Sequence, residues 1–557
     1  MKLYKILLIV ILAGIITSCS REPEVLFVNG KIYTLDKNNS VVEAVAVREG
    51  KILETGKSED LKSKYKPKEL IDLQGKTVLP GFIDMEGSLI EFSKNLNYIN
   101  LTQARSIKEI KQLVSEKAKG MKPASWIGGF GWNELNLSEE DLIKMDKSLL
   151  DEVSSGMNVY LVNLTSTTVW CNTKLLETLR ITNQTPSPKN GEIEKDEKGN
   201  LTGLLFDGAI NLVKEKIPDF TKEDISYSVE KGAAELLKYG ITGIHDKTVT
   251  KDAITIYRDL IDNDKLPLKI YAVLSAGDTA VAEYFSKGIE INYKDKLTVR
   301  AVSVDFDGSL ELQAAVMKDE YKQDPKVPAP YTSPEGTETF LRQALEKNFQ
   351  FVVKTVGDKA VTVNLNILEK ILKEKKGNDT EMNSGQGFRT VFEYVEFIQP
   401  DDFKRMKDLK IIVSVRPEIT LDTYGMIKSK IPPDNAKNLG LWKSIIDNTG
   451  MLTTGSNFPY GIINPFVQIY YLTARQSLDS VSVVIPGQTI SLLDAVKSYT
   501  VWAAYAGFEE NVKGTIEKDK YADMIVLSDD IFSVASKKIP DIKVLKTILN
   551  GKVVSAQ

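Results

Sequence analysis

The chain has 557 residues, of which 42% are hydrophobic and 27% charged, and these proportions are typical of a folded globular protein. Its 72 basic and 76 acidic side chains leave a net charge of −4, and this near balance excludes the basic surface of a nucleic-acid-binding protein. The single histidine, His245, excludes any metal site or mechanism that needs two imidazoles. The two cysteines exclude a disulfide framework.

The first residues have the pattern of an export signal. Lys2 and Lys5 precede an apolar run of 11 residues, and the sequence ITSC then ends at Cys19. This run is too short to span a bilayer, which predicts a secretory signal peptide over residues 1–18. The ITSC sequence resembles a bacterial lipobox, which predicts a lipid on Cys19 and anchorage to a bacterial membrane, with the outer membrane or cell surface favoured. An uncleaved anchor or an ordinary signal peptide is the alternative.

Both ends of the remaining chain are rich in short strands and tight turns. Asn29-Gly30 separates two apolar runs, Glu49-Gly50 separates two more, and Asn550-Gly551 does the same near the C-terminus. Because these residues tolerate positive φ, each pair predicts a hairpin turn. We therefore expect residues 24–80 and 512–556 to form one composite β-sandwich domain.

The middle of the chain alternates apolar strand-like runs with helical stretches, which predicts an α/β fold. The candidate strands are residues 78–84, 243–246, 268–274, 301–306, 351–356, 391–395, 411–415 and 451–456. Eight such strands predict a (β/α)₈ barrel over residues 81–511, with its reactive groups at the C-terminal strand ends. A long insertion, at about residues 91–239, separates the first two strands. Its aromatic residues either roof the pocket or form the insertion's own small core; they are Trp126, Phe130, Trp132 and Trp170.

Motifs in a fixed order along this region resemble the amidohydrolase superfamily, in particular its amidohydrolase-3 branch. The motifs are TVLPGFIDM at 77–85, GITGIHD at 240–246, DGSL at 307–310, GDKAV at 357–361, GSNFP at 455–459, KGTIE at 513–517 and ADMIVL at 522–527. The resemblance implies hydrolysis of carbon–nitrogen bonds other than peptide bonds. It also implies one or two divalent ions held by His-x-His on the first strand, lysine on the fourth, histidines on the fifth and sixth, and aspartate on the eighth.

This chain departs from the family at each of those ligand positions. Glu86 and Ser88 replace His-x-His, Ser303 replaces the lysine, Lys354 and Tyr394 replace the two later histidines, and Asn457 replaces the aspartate. A histidine usual in the insertion is replaced by Thr167. We therefore expect no divalent metal, and a polar pocket at these positions instead.

The replacements leave charged groups whose arrangement can be anticipated. Glu86 and Asp305 offer carboxylates for calcium or magnesium, but the ammonium of Lys354 would repel a cation there. We expect Lys354 to pair with Glu86, since a buried charge without a partner is costly; alternatively, both side chains reach solvent. Tyr394 and Asn457 either recognise a ligand's polar groups or satisfy each other.

The only histidine ends the second predicted strand. His245 is either a hydrogen-bonded side chain that lines the pocket or a lone general base oriented by Asp246. The catalytic candidates are therefore Glu86, Lys354, His245 and Asp305.

Three functions follow from the sequence. The preferred interpretation is a surface lipoprotein that has lost metal-dependent catalysis and binds a small molecule. The alternatives are a metal-independent hydrolase of a small molecule, and a cell-surface interaction scaffold whose binding face is the insertion.

Overall fold

The computed structural model describes residues 22–322, 328–375, 389–479 and 483–556. The predicted signal peptide and Cys19 lie outside the described residues, so export and lipidation stay predictions. Within the described part of the chain, no helix combines the length and the apolar composition needed to cross a membrane. The chain divides into two units, one formed by the described residues up to Leu89 and from Ala233 onward, the other by Ile90–Gly232.

The first unit contains a barrel of parallel strands. They are β1 (Phe82–Gly87), β2 (Ile241–Val249), β3 (Lys269–Ser275), β4 (Leu297–Asp305), β5 (Gln350–Lys354), β6 (Val391–Glu393), β7 (Ile412–Val415) and β8 (Thr453–Thr454). Consecutive strands pair in parallel from β1 to β8, and the short strand Glu290–Tyr293 pairs with β4 in the antiparallel direction. An isolated bridge between Gly87 and Phe458 brings β1 beside the segment after β8, so the barrel is nearly closed. The predicted (β/α)₈ barrel is confirmed.

The first predicted strand is divided between two sheets. Thr77–Pro80 pairs with terminal strands, and the barrel strand β1 begins only at Phe82. Gly81 lies at the break, where a Cβ atom would come within 2.3 Å of Thr242 Oγ1. The chain can therefore leave one sheet and enter the other only with a glycine at this point.

The barrel interior is filled by apolar side chains from its strands and from one helix. This core consists of Ile83, Met85, Tyr271, Val273, Ala301, Val352, Val391, Ile412, Ala503, Ala504 and Ala506. Gln350, the first residue of β5, donates a hydrogen bond to the carbonyl oxygen of Ala506 (2.8 Å). The helix Val501–Ala506 therefore lies at the N-terminal end of the barrel, and the opposite end is left for polar residues.

Helices connect and surround the strands. Those of the first unit are Ser58–Lys64, Lys251–Asp262, Thr279–Lys287, Pro334–Glu346, Asp358–Lys375, Asp402–Asp408, Pro417–Asp422, Tyr424–Lys430, Trp442–Thr449, Pro465–Ala474, Leu492–Ser498 and Val501–Ala506. The helix Pro334–Glu346 shows why the sequence starts a helix there: Ser333 caps it by accepting from the Gly336 N–H, and a proline takes the first position.

Two further sheets contain the strands of both chain ends. One has the order Lys552–Ala556, Val544–Leu549, Met524–Leu527, Thr77–Pro80, Lys31–Tyr33, Val41–Val42. The other has the order Lys51–Gly56, Ala44–Arg48, Val25–Val28, Glu69–Asp72. Their shared core includes Phe27, Val47, Val78, Met524 and Ile548.

Two of the three predicted hairpins form, at Glu49-Gly50 and at Asn550-Gly551. The hairpin predicted at Asn29-Gly30 is wrong. Val25–Val28 pairs on one side with Ala44–Arg48 and on the other with Glu69–Asp72, so no edge remains for the strand that follows. Asn29-Gly30 instead turns the chain into the neighbouring sheet.

The insertion is a six-stranded sheet with its own helices. The strand order is Gly191–Lys195, Leu201–Asp207, Thr168–Cys171, Asn158–Asn163, Trp126–Trp132, Ile99–Asn100. Its helices are Ile107–Ala118, Glu139–Lys144, Lys147–Asp151, Thr173–Thr178 and Asn211–Lys214, while Leu89–Asn95 and Lys222–Lys238 cross its boundaries. Trp132 and Trp170 are buried in its core, and Cys171 is a buried free thiol, whereas Phe130 is exposed. The aromatic residues thus serve mainly the insertion's own core.

A buried ion pair ties the N-terminal end of the barrel to the C-terminal strands. Lys269, the first residue of β3, places its Nζ 2.6 Å from Asp523 Oδ2 and 2.9 Å from Asn550 Oδ1. The same ammonium lies 3.5 Å from the ring centroid of Tyr521. Both partners of the ion pair are almost fully buried, so removal of either charge leaves the other without compensation.

Replacement of Lys269 by methionine should therefore lower the free energy of unfolding by about 3–5 kcal/mol, because Asp523 stays buried and unpaired. Urea denaturation followed by circular dichroism measures this. The matched control is Lys404→Met, which breaks an exposed pair with Asp408 and should cost no more than about 1 kcal/mol. Equal costs for the two variants would contradict the role given to Lys269.

Candidate functional site

Charged and polar side chains gather at the C-terminal ends of the barrel strands, where barrel enzymes place their reactive groups. They are Glu86 on β1, Lys247 on β2, Ser303 and Asp305 on β4, Lys354 on β5, Glu393 on β6, and Tyr394, Arg416 and Asn457 just after β6, β7 and β8. Most of the predicted site residues therefore share one end of the barrel. Lys247, Glu393 and Arg416 were not predicted.

The centre of this group is an ion pair between Lys247 and Glu393. The ammonium contacts Glu393 Oε2, and the two side chains are only 9% and 3% exposed. Burial alone would lower the pKa of Lys247, but Glu393, Tyr394 and Glu86 outweigh it and raise the pKa. These contacts therefore stabilise Lys247 as a cation at the C-terminal ends of the barrel strands.

Burial lowers the pKa of a lysine but raises that of a carboxyl group, and Glu393 shows the second effect. Burial raises the pKa of Glu393 to about 7, although Lys247 opposes the rise, and the negative charge of Glu86 adds to it. Two carboxyl groups thus share the neighbourhood of one buried ammonium, and one of them can take up a proton near neutral pH.

Glu86 is fully buried, and both of its carboxylate oxygens lack a hydrogen-bond partner among the described residues. Its side chain packs against Gly455, where a Cβ atom would come within 2.4 Å of Glu86 Cβ. The close approach of these two segments therefore requires a glycine at position 455. The charge of Glu86 is compensated through space by Lys247 rather than by a direct bond.

The predicted ion pair between Lys354 and Glu86 does not form. Lys354 is half-buried, and its Nζ lies 5.1 Å from the ring centroid of Tyr394, with no carboxylate within ion-pair distance in the described ranges. Lys247, rather than Lys354, compensates the charge of Glu86. It can do so because it lies on β2, the strand that pairs with the strand of Glu86, β1.

The ring of Tyr394 contacts two of the cations at the strand ends, Lys247 and Arg416. Its ring lies 4.2 Å from Lys247 Nζ and 3.7 Å from the Arg416 guanidinium carbon, distances typical of cation–π contacts. Its hydroxyl donates to Asn457 Oδ1 at 2.6 Å, so the alternative in which these two residues satisfy each other is the one observed. Both have positive φ, 60° for Tyr394 and 54° for Asn457, a strained backbone that tends to occur at functional sites.

Arg416 also holds a second buried carboxyl group. Its guanidinium donates to Glu396 Oε1 at 3.0 Å. Burial raises the pKa of Glu396 to about 8, although Arg416 opposes the rise. Arg416 therefore pairs with Glu396 without outweighing the effect of burial on its pKa.

The remaining predicted residues have local structural contacts. Ser303 Oγ donates to the Leu274 carbonyl oxygen at 3.4 Å, and the Ser88 N–H donates to the Phe458 carbonyl oxygen at 3.0 Å. The side chain of Asp305 is exposed. Thr167 lies in the insertion, where its N–H donates to Asn163 Oδ1 at 2.9 Å.

His245 lies inside the barrel rather than at the strand ends. Its ring stacks on Tyr271 with centroids 4.4 Å apart, and its Nε2 has no hydrogen-bond partner in the described part of the chain. Burial, helped by Lys513, lowers the pKa of His245 to about 3. Asp246 instead accepts from the Leu89 N–H (2.8 Å) and the Tyr257 hydroxyl (2.5 Å), so it does not orient the imidazole as the general-base alternative requires.

Lys247 was not predicted to lie at the site, although its position two residues after His245 indicates this. Residues two apart on a strand share a face, so Lys247 is on the same face of β2 as His245. The prediction ended this strand at residue 246, whereas β2 continues to Val249. A longer strand would have placed Lys247 at the pocket.

A double-mutant cycle tests the central ion pair. Lys247→Met should lower the free energy of unfolding by about 3–5 kcal/mol, because it leaves Glu393 and Glu86 buried without a cation. Adding Glu393→Gln should recover part of this loss. Urea denaturation of the four proteins measures the coupling. Lys443→Met, which breaks an exposed pair with Asp447, is the control, and an equal cost for the two lysine variants would contradict the pairing.

Comparisons with known proteins agree with this fold. The model of the amidohydrolase family, in its amidohydrolase-3 form, matches residues 69–555. The chain is 26% identical to "Protein LONG AFTER FAR-RED 3" of Arabidopsis thaliana, over 95% of this chain and 91% of that protein. It is 23% identical to the "N-substituted formamide deformylase" of Arthrobacter pascens, over 95% of this chain and 97% of that enzyme.

Among solved structures, the chain resembles an uncharacterized metal-dependent hydrolase from Pyrococcus horikoshii OT3, with a TM-score of 0.70 and 24% sequence identity. The match covers 92% of this chain and 99% of that one, and at this identity it shows the fold alone. Because the family match extends over most of the sequence, the chain belongs to the amidohydrolase family.

Proposed function

We propose that this chain binds a small molecule at the C-terminal ends of its barrel strands and has lost the metal-dependent hydrolysis of its family. The observation that carries this proposal is the buried ammonium of Lys247, paired with Glu393 and flanked by the ring of Tyr394. A fixed cation at this place compensates the negative charge of the buried carboxylates, as a bound metal would. Unlike a metal, however, it offers no coordination site for water.

The residues present do not fit the family's metal ions. Transition metals in such sites need imidazole or carboxylate lone pairs at about 2.0–2.2 Å, and a protonated lysine has none to offer. Of the carboxylates, Glu393 already pairs with Lys247, and Glu86 lies within the field of the same ammonium. Among the described residues, no group of three histidine, cysteine, aspartate or glutamate side chains is placed to hold a metal ion.

The polar groups that remain suit recognition. Lys354 presents a half-buried ammonium without an ion pair in the described ranges, and Asn457 is fixed by its hydrogen bond from Tyr394. A few fixed polar groups in a concave site orient a ligand without needing to activate water. We therefore assign these two residues to ligand binding rather than to hydrolysis.

A metal-independent hydrolase is the second candidate, and one observation favours it. The pKa of Glu393 is raised to about 7, which suits a residue that exchanges a proton near neutral pH. The name of the Arthrobacter pascens relative supplies a test substrate, an N-substituted formamide. Its hydrolysis in the presence of a chelator, abolished by Glu393→Gln, would favour this candidate over simple binding.

Metal analysis tests the main proposal. Full-length protein, purified in detergent and exchanged into metal-free buffer, should contain zinc, iron, manganese and nickel at well below one ion per chain by mass spectrometry. A ligand that binds only the folded state raises the melting temperature. Added ZnCl₂ should therefore leave the melting temperature unchanged, because the proposed site does not bind zinc. The Pyrococcus horikoshii hydrolase, treated in the same way, is the control. Stoichiometric metal that survives this treatment would overturn the proposal.

We also propose that the chain is exported and lipid-anchored through Cys19. In a bacterial host fed labelled palmitate, the wild-type chain should carry label and sediment with membranes, because acyl chains supply the membrane affinity. Cys19→Ala should lose both properties. The matched control, Cys171→Ala, changes a buried thiol in the insertion and should keep both. Membrane sedimentation of unlabelled Cys19→Ala protein would contradict the proposal.

A further inference from the structure

A cavity of about 300 Å³ opens beside Tyr394 and Asn457. Its lining includes Ser309, Glu311, Arg416, Glu418, Ser456, Asn457 and Tyr460. Arg416 and Asn457 also belong to the site at the strand ends, so the cavity continues that site. Its volume is at the lower limit of small-molecule pockets and suits a ligand of few non-hydrogen atoms.

The two carboxylates that line this cavity form no direct ion pair, although Arg416 partly compensates Glu418 through space. Neither Glu311 nor Glu418 forms an ion pair with any described residue, and Arg416 is already engaged by Glu396. The Glu418 carboxylate is held in place because Oε2 accepts from the Ile462 N–H (2.6 Å) and from Gln468 Nε2 (3.0 Å). Glu311 Oε2 is buried without a hydrogen-bond partner.

Burial is the main reason why the neighbouring carboxyl groups have raised pKa values, and nearby carboxylates add to it. Burial raises the pKa of Glu418 and the charge of Asp422 adds to the rise, whereas Ile462, Gln468 and Arg416 oppose it. Burial also raises the pKa of Glu396, to about 8, and Glu311 contributes to that rise. A positive charge in the cavity would lower the pKa of each of these carboxyl groups and favour its ionised form.

Two buried oxygen atoms of the lining can accept a hydrogen bond from a ligand. Ser456 is 3% exposed, and neither Ser456 Oγ nor Glu311 Oε2 has a hydrogen-bond partner within the described residues. An ammonium group donates hydrogen bonds and accepts none, so such oxygen atoms are the partners that it requires.

We propose that this cavity binds a protonated amine carried by a small organic ligand, with Glu311 and Glu418 as its counter-charges. The proposal rests on the small-molecule binding proposed above and names the chemical class of that ligand. Tyr460 lines the cavity with 76% of its surface exposed, and its ring can close over an ammonium group. Ile419 supplies an apolar contact for the carbon chain.

A thermal-shift experiment on full-length protein in detergent tests this ligand class. The probes are n-butylammonium chloride, sodium butyrate and 1-butanol, at equal ionic strength adjusted with KCl. At about tenfold excess over Kd, the ammonium salt should raise Tm by about 1–3 °C, with no rise from butyrate or butanol. The shift should disappear in Glu311→Gln and in Glu418→Gln, which keep side-chain shape but remove charge.

The control variant is Glu346→Gln, which changes an exposed carboxylate at the end of the helix Pro334–Glu346 and should keep the full shift. Stabilisation by CaCl₂ or MgCl₂ that is lost in the two cavity variants, without any effect of butylammonium, would identify an inorganic cation site and overturn the proposal. Stabilisation by butyrate alone would overturn it while leaving small-molecule binding intact. Stoichiometric transition metal in the purified protein would overturn the proposed function independently of these shifts.

Discussion

The charge balance around Lys247 is the constraint on which the rest of the site depends. Glu86 and Glu393 are almost completely buried at the same end of the barrel, and burial raises the pKa of Glu393 to about 7. In an amidohydrolase with its metal, the ion supplies a positive charge there. Here the ammonium of Lys247 supplies it through a covalently attached side chain. The cation is thus part of the chain, and its position is fixed by the register of β2.

Much of the stability of the barrel arises away from the strand ends that carry the site. The apolar interior and the helix Val501–Ala506 fill the barrel, and the buried pair of Lys269 and Asp523 ties its N-terminal end to the C-terminal strands. Neither feature involves a residue at the positions that correspond to the family's metal ligands. A separation between a stabilising end and a functional end is general in barrel proteins.

The fold could be predicted because it depends on local patterns. Eight apolar runs separated by helical stretches predicted the barrel, and two of the three turn pairs predicted their hairpins. The failure at Asn29-Gly30 has a physical reason, since the turn residues permit a reversal but the neighbours of Val25–Val28 decide which strand pairs with it. Strand partners far apart in sequence are not encoded in a two-residue turn.

The site was predicted less completely, because side-chain pairing depends on register and reach. The hydrogen bond between Tyr394 and Asn457 was among the alternatives, whereas Lys354 was expected to neutralise Glu86. The match of motifs identifies the positions that correspond to the family's ligands, but it gives no sign of a pocket residue outside that set. Lys247 is such a residue, and only the extent of β2 beyond residue 246 shows that it reaches the site.

The metal-free site that we propose would be hard to convert into the family's metal site, for the same geometric reason. If histidines were introduced at Glu86 and Ser88, the ammonium of Lys247 would still lie beside them and repel a divalent ion over a few ångströms. If Lys247 were removed first, Glu393 would be left buried beside Glu86 without a cation, at a cost of several kcal/mol. Each single step toward the family's metal site would therefore be unfavourable by itself. Only a concerted change of Glu86, Lys247 and Glu393 avoids both penalties, so the buried ammonium would oppose a stepwise conversion of the proposed site.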